Sequence, residues 1–287
     1  MSVRVLRRLA IAAALLAAGV LPAAAAQPVL APDVPTPYLP STNVAVEEML
    51  RVADVKPGDV VVDLGSGDGR IPIAAARYFG ARGFGVDIDP KLVAESNENA
   101  AKAGVADRVQ FFQRDVMATD VREATVVTLY LLPNLVNRLR PRLFDQMKPG
   151  ARIVAHDFCF EDWEPDRRVN ISKNFCLYVI PAKVGGKWRL EVEMPEGNRG
   201  YDLELRQTFQ QLRGGARVAG GWLPLFEPRI DGERVAFVLV DDQRGHHFEG
   251  RVRGDAWMEG TMRLGVGNAQ QTYRWRATRG GGLADEG

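Results

Sequence analysis

Two cysteines, Cys159 and Cys176, and three histidines, His156, His246 and His247, are all that 287 residues offer a soft metal. None stands at a zinc-ligand spacing, which excludes a structural metal site. An excess of one charge is missing too. Thirty-seven Lys and Arg against 36 Asp and Glu give net +1, so no global field gathers nucleic acid or an anionic membrane. The apolar run Leu9 to Leu21 falls short of the roughly 20 residues that a bilayer core requires. What is present, 46% hydrophobic and 25% charged residues, describes a globular chain with material for one large domain or two smaller ones. Disordered, collagen-like and disulfide-scaffold classes are excluded.

The amino terminus carries the pattern of an export signal: Arg4, Arg7 and Arg8, then the apolar run, then Ala24-Ala25-Ala26 as a small-residue cleavage site. Arg7-Arg8 before Leu9-Ala10-Ile11 resembles a twin-arginine signal. Cleavage near Ala26 predicts an exported, periplasmic protein with no stable membrane span; a retained N-terminal anchor is the alternative. Loss of those three arginines and no acid turns net +1 into −2, which disfavours nucleic acid further. Pro28, Pro32, Pro35, Pro37 and Pro40 make residues 27–43 an extended linker.

From 44 to 184 helical and strand patterns alternate, predicting βαβ units and a mainly parallel sheet. Val46, Met49, Leu50 and Ala53 share one helical face, with Thr42 or Asn43 as N-cap. Val60-Val61-Val62 is the continuous apolar run of a central strand. Further strands are expected at Gly83 to Val86, Val109 to Phe112, Val126 to Leu131, Arg152 to Ala155 and Phe175 to Ile180. Leu135, Leu139, Leu143 and Met147 predict a helix that Pro141 splits in two, with Arg138, Arg140 and Arg142 on its solvated face.

The strongest local signal is Val61-Val62-Asp63-Leu64-Gly65-Ser66-Gly67-Asp68-Gly69-Arg70, a strand running through three alternating glycines into a helix. Gly65, Gly67 and Gly69 permit a sharp bend and close approach of a ligand, and Ser66 lies within that turn. The helix start and glycine-loop amides offer donors to an anion. Arg70 stands where a dinucleotide fingerprint needs glycine, and Gly-Lys-Ser/Thr is absent, so NAD and nucleoside triphosphates recede. Asp87, 24 residues after Asp63 at the end of the second strand, is placed to accept from both ribose hydroxyls. Asp89 competes, but alternation turns it away.

Acid-x-Gly-x-Gly-x-Gly resembles the first motif of class I S-adenosylmethionine-dependent methyltransferases. That ligand has no phosphates but a carboxylate, an ammonium and a sulfonium, so Asp63 can meet its cationic end. The resemblance implies a Rossmann-like sheet with helices on both faces, S-adenosyl-L-methionine as cofactor, and adenine recognition by Asp115 in Arg114-Asp115-Val116. Pro37-Tyr38-Leu39-Pro40, Leu129-Tyr130-Leu131-Leu132-Pro133, His156-Asp157-Phe158 and Trp163-Glu164-Pro165 further resemble the mitochondrial lysine methyltransferases that modify ATP synthase, and their bacterial relatives, over about residues 37–181. It implies a protein-lysine acceptor. Tyr130, at the fourth strand end, is the candidate wall of the amine channel or a core tyrosine. Asp157 and His156, at the fifth, accept a proton and position the acceptor, or bond structurally. Cys159 and Cys176 pair in an oxidising compartment or remain two buried thiols.

Glycine marks a boundary: ten of 29 lie in the first 184 residues and nineteen in the remaining 103. Residues 187–279 read as strands at Trp188 to Val192, Tyr201 to Phe209, Arg217 to Leu223, Arg234 to Val240, His247 to Val252, Trp257 to Leu264 and Thr272 to Ala277, predicting a small antiparallel barrel or curved sheet. Residues 280–287 form a tail. Two other readings stand beside the lysine methyltransferase: a non-catalytic binding protein on the same scaffold, and a small-molecule methyltransferase whose β domain forms a lid.

Overall fold

The computed structural model describes residues 39–219, 221–241, 243–265 and 270–280. The expected signal (1–26), residues 27–38 of the linker and 281–287 of the tail lie outside them. Among the described residues no helix is long and apolar enough to cross a membrane.

The chain begins with α1 (Asn43–Val52), capped by Thr42, whose hydroxyl accepts from the Ala45 amide at 3.2 Å. Val46, Met49, Leu50 and Ala53 are buried, as their spacing predicts. Then come β1 (Val60–Leu64), α2 (Arg70–Phe79), β2 (Arg82–Asp87), α3 (Pro90–Lys102), β3 (Val109–Gln113), β4 (Val126–Leu129), α4 (Pro133–Gln146), β5 (Arg152–His156), β6 (Arg167–Asn170) and β7 (Asn174–Val179). They form one sheet in the order β3-β2-β1-β4-β5-β7-β6. The first five strands are parallel; β7 runs antiparallel to β5 and to β6. Helices cover both faces because neighbouring strand residues point opposite ways. Val61 packs with α1 and α2, whereas Val62 and Leu64 pack with Val136, Leu139 and Leu143 of α4.

Two expectations fail here, and one strand is added. Pro141 does not split α4, which runs unbroken through it. Proline removes only the bond to the Asn137 carbonyl, and Val136, Leu139 and Leu143, buried on either side, hold both halves on the sheet. Of the three arginines, only Arg138 is fully solvated: Arg140 bonds Asp162 at 2.7 Å and lies over the Phe209 ring, and Arg142 donates to the Thr119 carbonyl at 3.1 Å. An added strand, β6, pairs with β7 alone at the sheet edge.

The remaining strands close into a barrel: β8 (Gly186–Val192), β9 (Arg199–Thr208), β10 (Gln211–Val218), β11 (Gly221–Asp231), β12 (Arg234–Asp241), β13 (Arg244–Arg253), β14 (Trp257–Leu264) and β15 (Gln271–Arg279). Closure pairs β15 with β8, β8 with β9 and β9 with β10, leaving no free edge. The expected strand Arg217 to Leu223 is instead the end of β10 and the start of β11, with the chain reversing between Val218 and Gly221. Trp188, Tyr201, Phe237, Phe248 and Trp275 fill the interior.

Two hairpin tips seat the barrel on the sheet. Phe209, between β9 and β10, stacks on Trp163, while Gln210 accepts from the Trp163 indole at 2.7 Å and donates to the Glu164 carbonyl at 2.6 Å. Gly232, between β11 and β12, accepts from the Ala182 amide at 2.8 Å. It lies close to Gly150, just ahead of β5. The Gly232 contact is thus at the amino-terminal end of β5, opposite the end where the acids lie.

Candidate active site

Parallel pairing sets the carboxyl ends of β3, β2, β1, β4 and β5 side by side. Asp115, Asp87, Asp63, Tyr130 and Asp157 all lie at or just beyond those ends. Strand order reverses direction between β1 and β4, the place where open α/β sheets leave a crevice for a ligand.

Asp63 is 2% exposed and accepts from the Thr128 hydroxyl at 2.6 Å. Burial pushes its carboxyl up to about 7; the Thr128 bond opposes that, and the negative charges of Asp87 and Asp68 add to it. A cation beside Asp63 would relieve both burial and like-charge cost. Thr128 was not anticipated, although a threonine inside the apolar run Val126 to Leu131 was its signal.

Gly65, Gly67 and Gly69 all have positive φ, at 84°, 53° and 81°. A Cβ on Gly65 would come within 2.7 Å of Leu131, and one on Gly69 within 2.6 Å of Phe111. The loop amides differ from expectation. Gly65 and Ser66 both donate to the Val86 carbonyl at 2.9 Å, Gly67 donates to Asp87 Oδ2 at 2.9 Å, and Gly69 to the Ser66 carbonyl at 2.9 Å. The β1–β2 pairing continues around the turn and consumes these donors. The loop therefore supplies close approach, and not the anion-binding amides expected of it. Ser66 Oγ is buried with no hydrogen-bond partner among the described residues, a polar atom left for a ligand.

Asp87 is oriented through both oxygens, since Oδ1 accepts from the Asp89 amide at 3.0 Å. Asp89 is spent as the N-cap of α3, accepting from Lys91 at 2.8 Å. Asp115 caps the short turn Val116–Ala118 and accepts from the Met117 amide at 2.8 Å.

At the ends of β4 and β5 the Tyr130 ring stacks on His156, centroids 4.0 Å apart. His156 is buried, and its Nδ1 meets the Ser41 hydroxyl at 3.0 Å. Burial holds its imidazole below the ordinary value; Asp157 opposes that shift and Lys173 reinforces it. Ser41 also receives the Arg70 guanidinium on its carbonyl, so one residue joins the cofactor-loop side to the acceptor side. Nothing in the proline-rich pattern signalled that role. Asp157 takes φ 63° and faces the β6–β7 hairpin, with Lys173 Nζ at 3.8 Å and the Asn174 amide at 3.4 Å. Two residues on, Cys159 is disulfide-bonded to Cys176 of β7, Cα atoms 5.7 Å apart.

Residues 63–167 match the family of the ANTKMT methyltransferase domain. A protein-lysine N-methyltransferase of Saccharolobus islandicus (strain REY15A) is 39% identical over 150 residues, 50% of this chain and 93% of that protein. The chain belongs to this family of S-adenosylmethionine-dependent methyltransferases. Its cofactor is S-adenosyl-L-methionine, and the buried Asp63, the unpartnered Ser66 hydroxyl and the three crowded glycines of the loop suit that cation-bearing, phosphate-free ligand. The solved structure of an RNA methyltransferase from Salinibacter ruber, in complex with S-adenosyl-L-homocysteine, is 50% identical to this methyltransferase with TM-score 0.50, covering 51% of this chain and 96% of that one. Two lysine N-methyltransferases named for an ATP synthase component, from Xenopus laevis and Homo sapiens, are 34% and 32% identical over 130 residues. Those matches take in 45% of this chain and only 57% and 55% of the relatives' length.

Proposed function

We propose that this methyltransferase N-methylates a lysine of a protein outside the cytoplasm. The observation that carries the reading is the shared edge of the sheet, where Asp63, Asp87 and Asp115 lie at or just beyond the carboxyl ends of β1, β2 and β3 and Tyr130, just after β4, stacks on His156 at the end of β5, in a chain whose relatives are named for lysine.

S-adenosyl-L-methionine supplies an activated methyl group and leaves as S-adenosyl-L-homocysteine. Asp63 would hold its ammonium end, Asp87 the ribose hydroxyls and Asp115 the adenine amino group, with Gly65, Ser66, Gly67 and Gly69 admitting it closely. A lysine must arrive neutral to attack. Bringing its pKa from about 10.4 to about 7 corresponds to roughly 4.6 kcal/mol, which desolvation of the amine beside Tyr130 would supply. Tyr130 faces the developing charge transfer with its ring, backed by the His156 stack. Asp157, paired with Lys173, orients the rim. Holding the acceptor amine in line with the cofactor's methyl group would supply much of the rate.

Export with signal cleavage near Ala26 is part of the proposal. It is supported by the Arg4 to Ala26 pattern and by the Cys159–Cys176 bond, which suits an oxidising compartment. A second acceptor class, RNA, is favoured by the name of the Salinibacter ruber relative. One assay separates them: protein, RNA and small-molecule fractions of a cell extract are incubated with methyl-labelled cofactor. Label in protein, recovered as methyl-lysine and lost with Asp87→Ala, supports the proposal. Label confined to RNA or small molecules, or no transfer at all, overturns it.

A further inference from the structure

The outer face of the barrel holds a trough of roughly 970 Å³, remote in sequence from the crevice. Gly250 of β13 and Gly260 of β14, paired across the strands, are part of its lining. A Cβ on Gly250 would meet the Trp275 ring at 2.4 Å, and one on Gly260 the Glu249 carbonyl at 2.0 Å, so neither position has room for a side chain. Six arginines line it: Arg229 of β11, Arg234 of β12, Arg251 and Arg253 of β13, and Arg274 and Arg276 of β15.

Carboxylates are interleaved, but two are already engaged. Glu249 bonds Arg263 at 2.6 Å, and Glu259 bonds Arg253 at 3.1 Å. Asp231 and Glu193 complete the acids of the lining. Arg229, Arg234 and Arg274 form no ion pair among the described residues, and Arg276 lies over the Trp257 ring at 4.4 Å. Three guanidinium forks thus face the trough uncommitted, in a protein whose net charge is close to zero.

We propose that this trough docks an extended acidic segment of a partner protein. Guanidinium forks match carboxylates two bonds at a time. A closed barrel offers no strand edge, so a peptide must be recognised by side chains and not by strand addition. A nucleic-acid strand fits less well. Its bases would find no free ring in the lining, because Trp275 is 2% exposed and Arg276 occupies Trp257. A bilayer is flat where this surface is concave.

The test uses a fluorescein-labelled peptide of alternating Glu and Gly, with an alternating Lys and Gly peptide, a single-stranded RNA and phosphatidylglycerol vesicles as competitors. The acidic peptide should bind with an affinity that falls between about 50 and about 300 mM salt. R234E/R274E should weaken it at least about tenfold, as should the milder R234Q/R274Q, whereas Arg206→Glu, on an exposed position of β9, should not. No binding, equal binding by the trough variants, or tighter binding of RNA or vesicles overturns the proposal. Calorimetric titration of the same variants with S-adenosylmethionine keeps this outcome separate from that of methyl transfer.

Discussion

The Phe209 ring, at the tip of the β9–β10 hairpin, lies flat on the indole of Trp163, with centroids 4.9 Å apart and planes 9° from parallel. Phe144 meets both rings edge-on, at 5.5 Å from Trp163 and 5.4 Å from Phe209. A barrel side chain is thereby built into the core of the sheet. Because Phe209 is only partly buried, Phe209→Ala should cost about 2 kcal/mol. Urea unfolding should show the loss while cofactor affinity stays within about twofold; an unchanged midpoint would mean that the tip does not hold the barrel.

Asp63 makes apo stability depend on pH. Its folded carboxyl, at about 7, lies above the ordinary 3.8, so the folded state keeps a proton that the unfolded chain releases. The sign follows: this contribution is fully present below about pH 4 and is lost as pH rises through about 7. Asp63→Asn should flatten that decline and stabilise the apo protein at pH 8 by a few kcal/mol at most. It should also weaken cofactor binding.

The same carboxyl should release a proton when the cofactor's ammonium arrives, since a neighbouring cation favours its ionised form. Calorimetric titration near pH 6.5, in two buffers of different ionisation enthalpy, should give binding enthalpies that differ by the released fraction. Equal enthalpies would place the ammonium elsewhere.

Asp87→Ala removes the carboxylate that holds both the Gly67 amide and the proposed ribose contact. Loss of a charge-assisted pair of bonds predicts cofactor binding weaker by about tenfold to about a hundredfold. Asp89→Ala, which removes only a helix cap, should cost about 1 kcal/mol of stability and leave affinity nearly unchanged.

The disulfide closes a span of 17 residues between the β5 loop and β7. Replacing both cysteines by serine should lower stability by about 3 kcal/mol, read by denaturant unfolding. Tyr130→Ala should lower methyl transfer by about a hundredfold through misplacement of the acceptor, with cofactor affinity retained; a parallel loss of affinity would put Tyr130 on the cofactor instead.

Local pattern disclosed some elements and hid others for identifiable reasons. Central strands were legible because Val60-Val61-Val62 and Val126 to Leu129 are apolar almost throughout, as burial on both faces demands. The edge strand Arg167–Asn170 was not, since Arg167, Arg168 and Asn170 give it no apolar run. The β10–β11 reversal was hidden because Arg217 to Leu223 carries β-formers on both sides of it, and because Pro224 and Pro228 disguise β11. At the site, the three acids and three glycines were visible through spacing. Their hydrogen bonds were not.

By itself, the amino-acid sequence determined the order of the parallel strands of the first sheet, the cofactor turn at Asp63 to Gly69, and the β-rich second half, because each depends on residues close together in the chain. Only the tertiary structure decided that the barrel closes, that Phe209 reaches Trp163, that Ser41 meets His156, and that the loop amides turn to Val86 and Asp87. Each of these joins groups brought together by sheet order and burial, and the charge state of Asp63 follows from the same cause: water is excluded there by strands that the sequence places far apart.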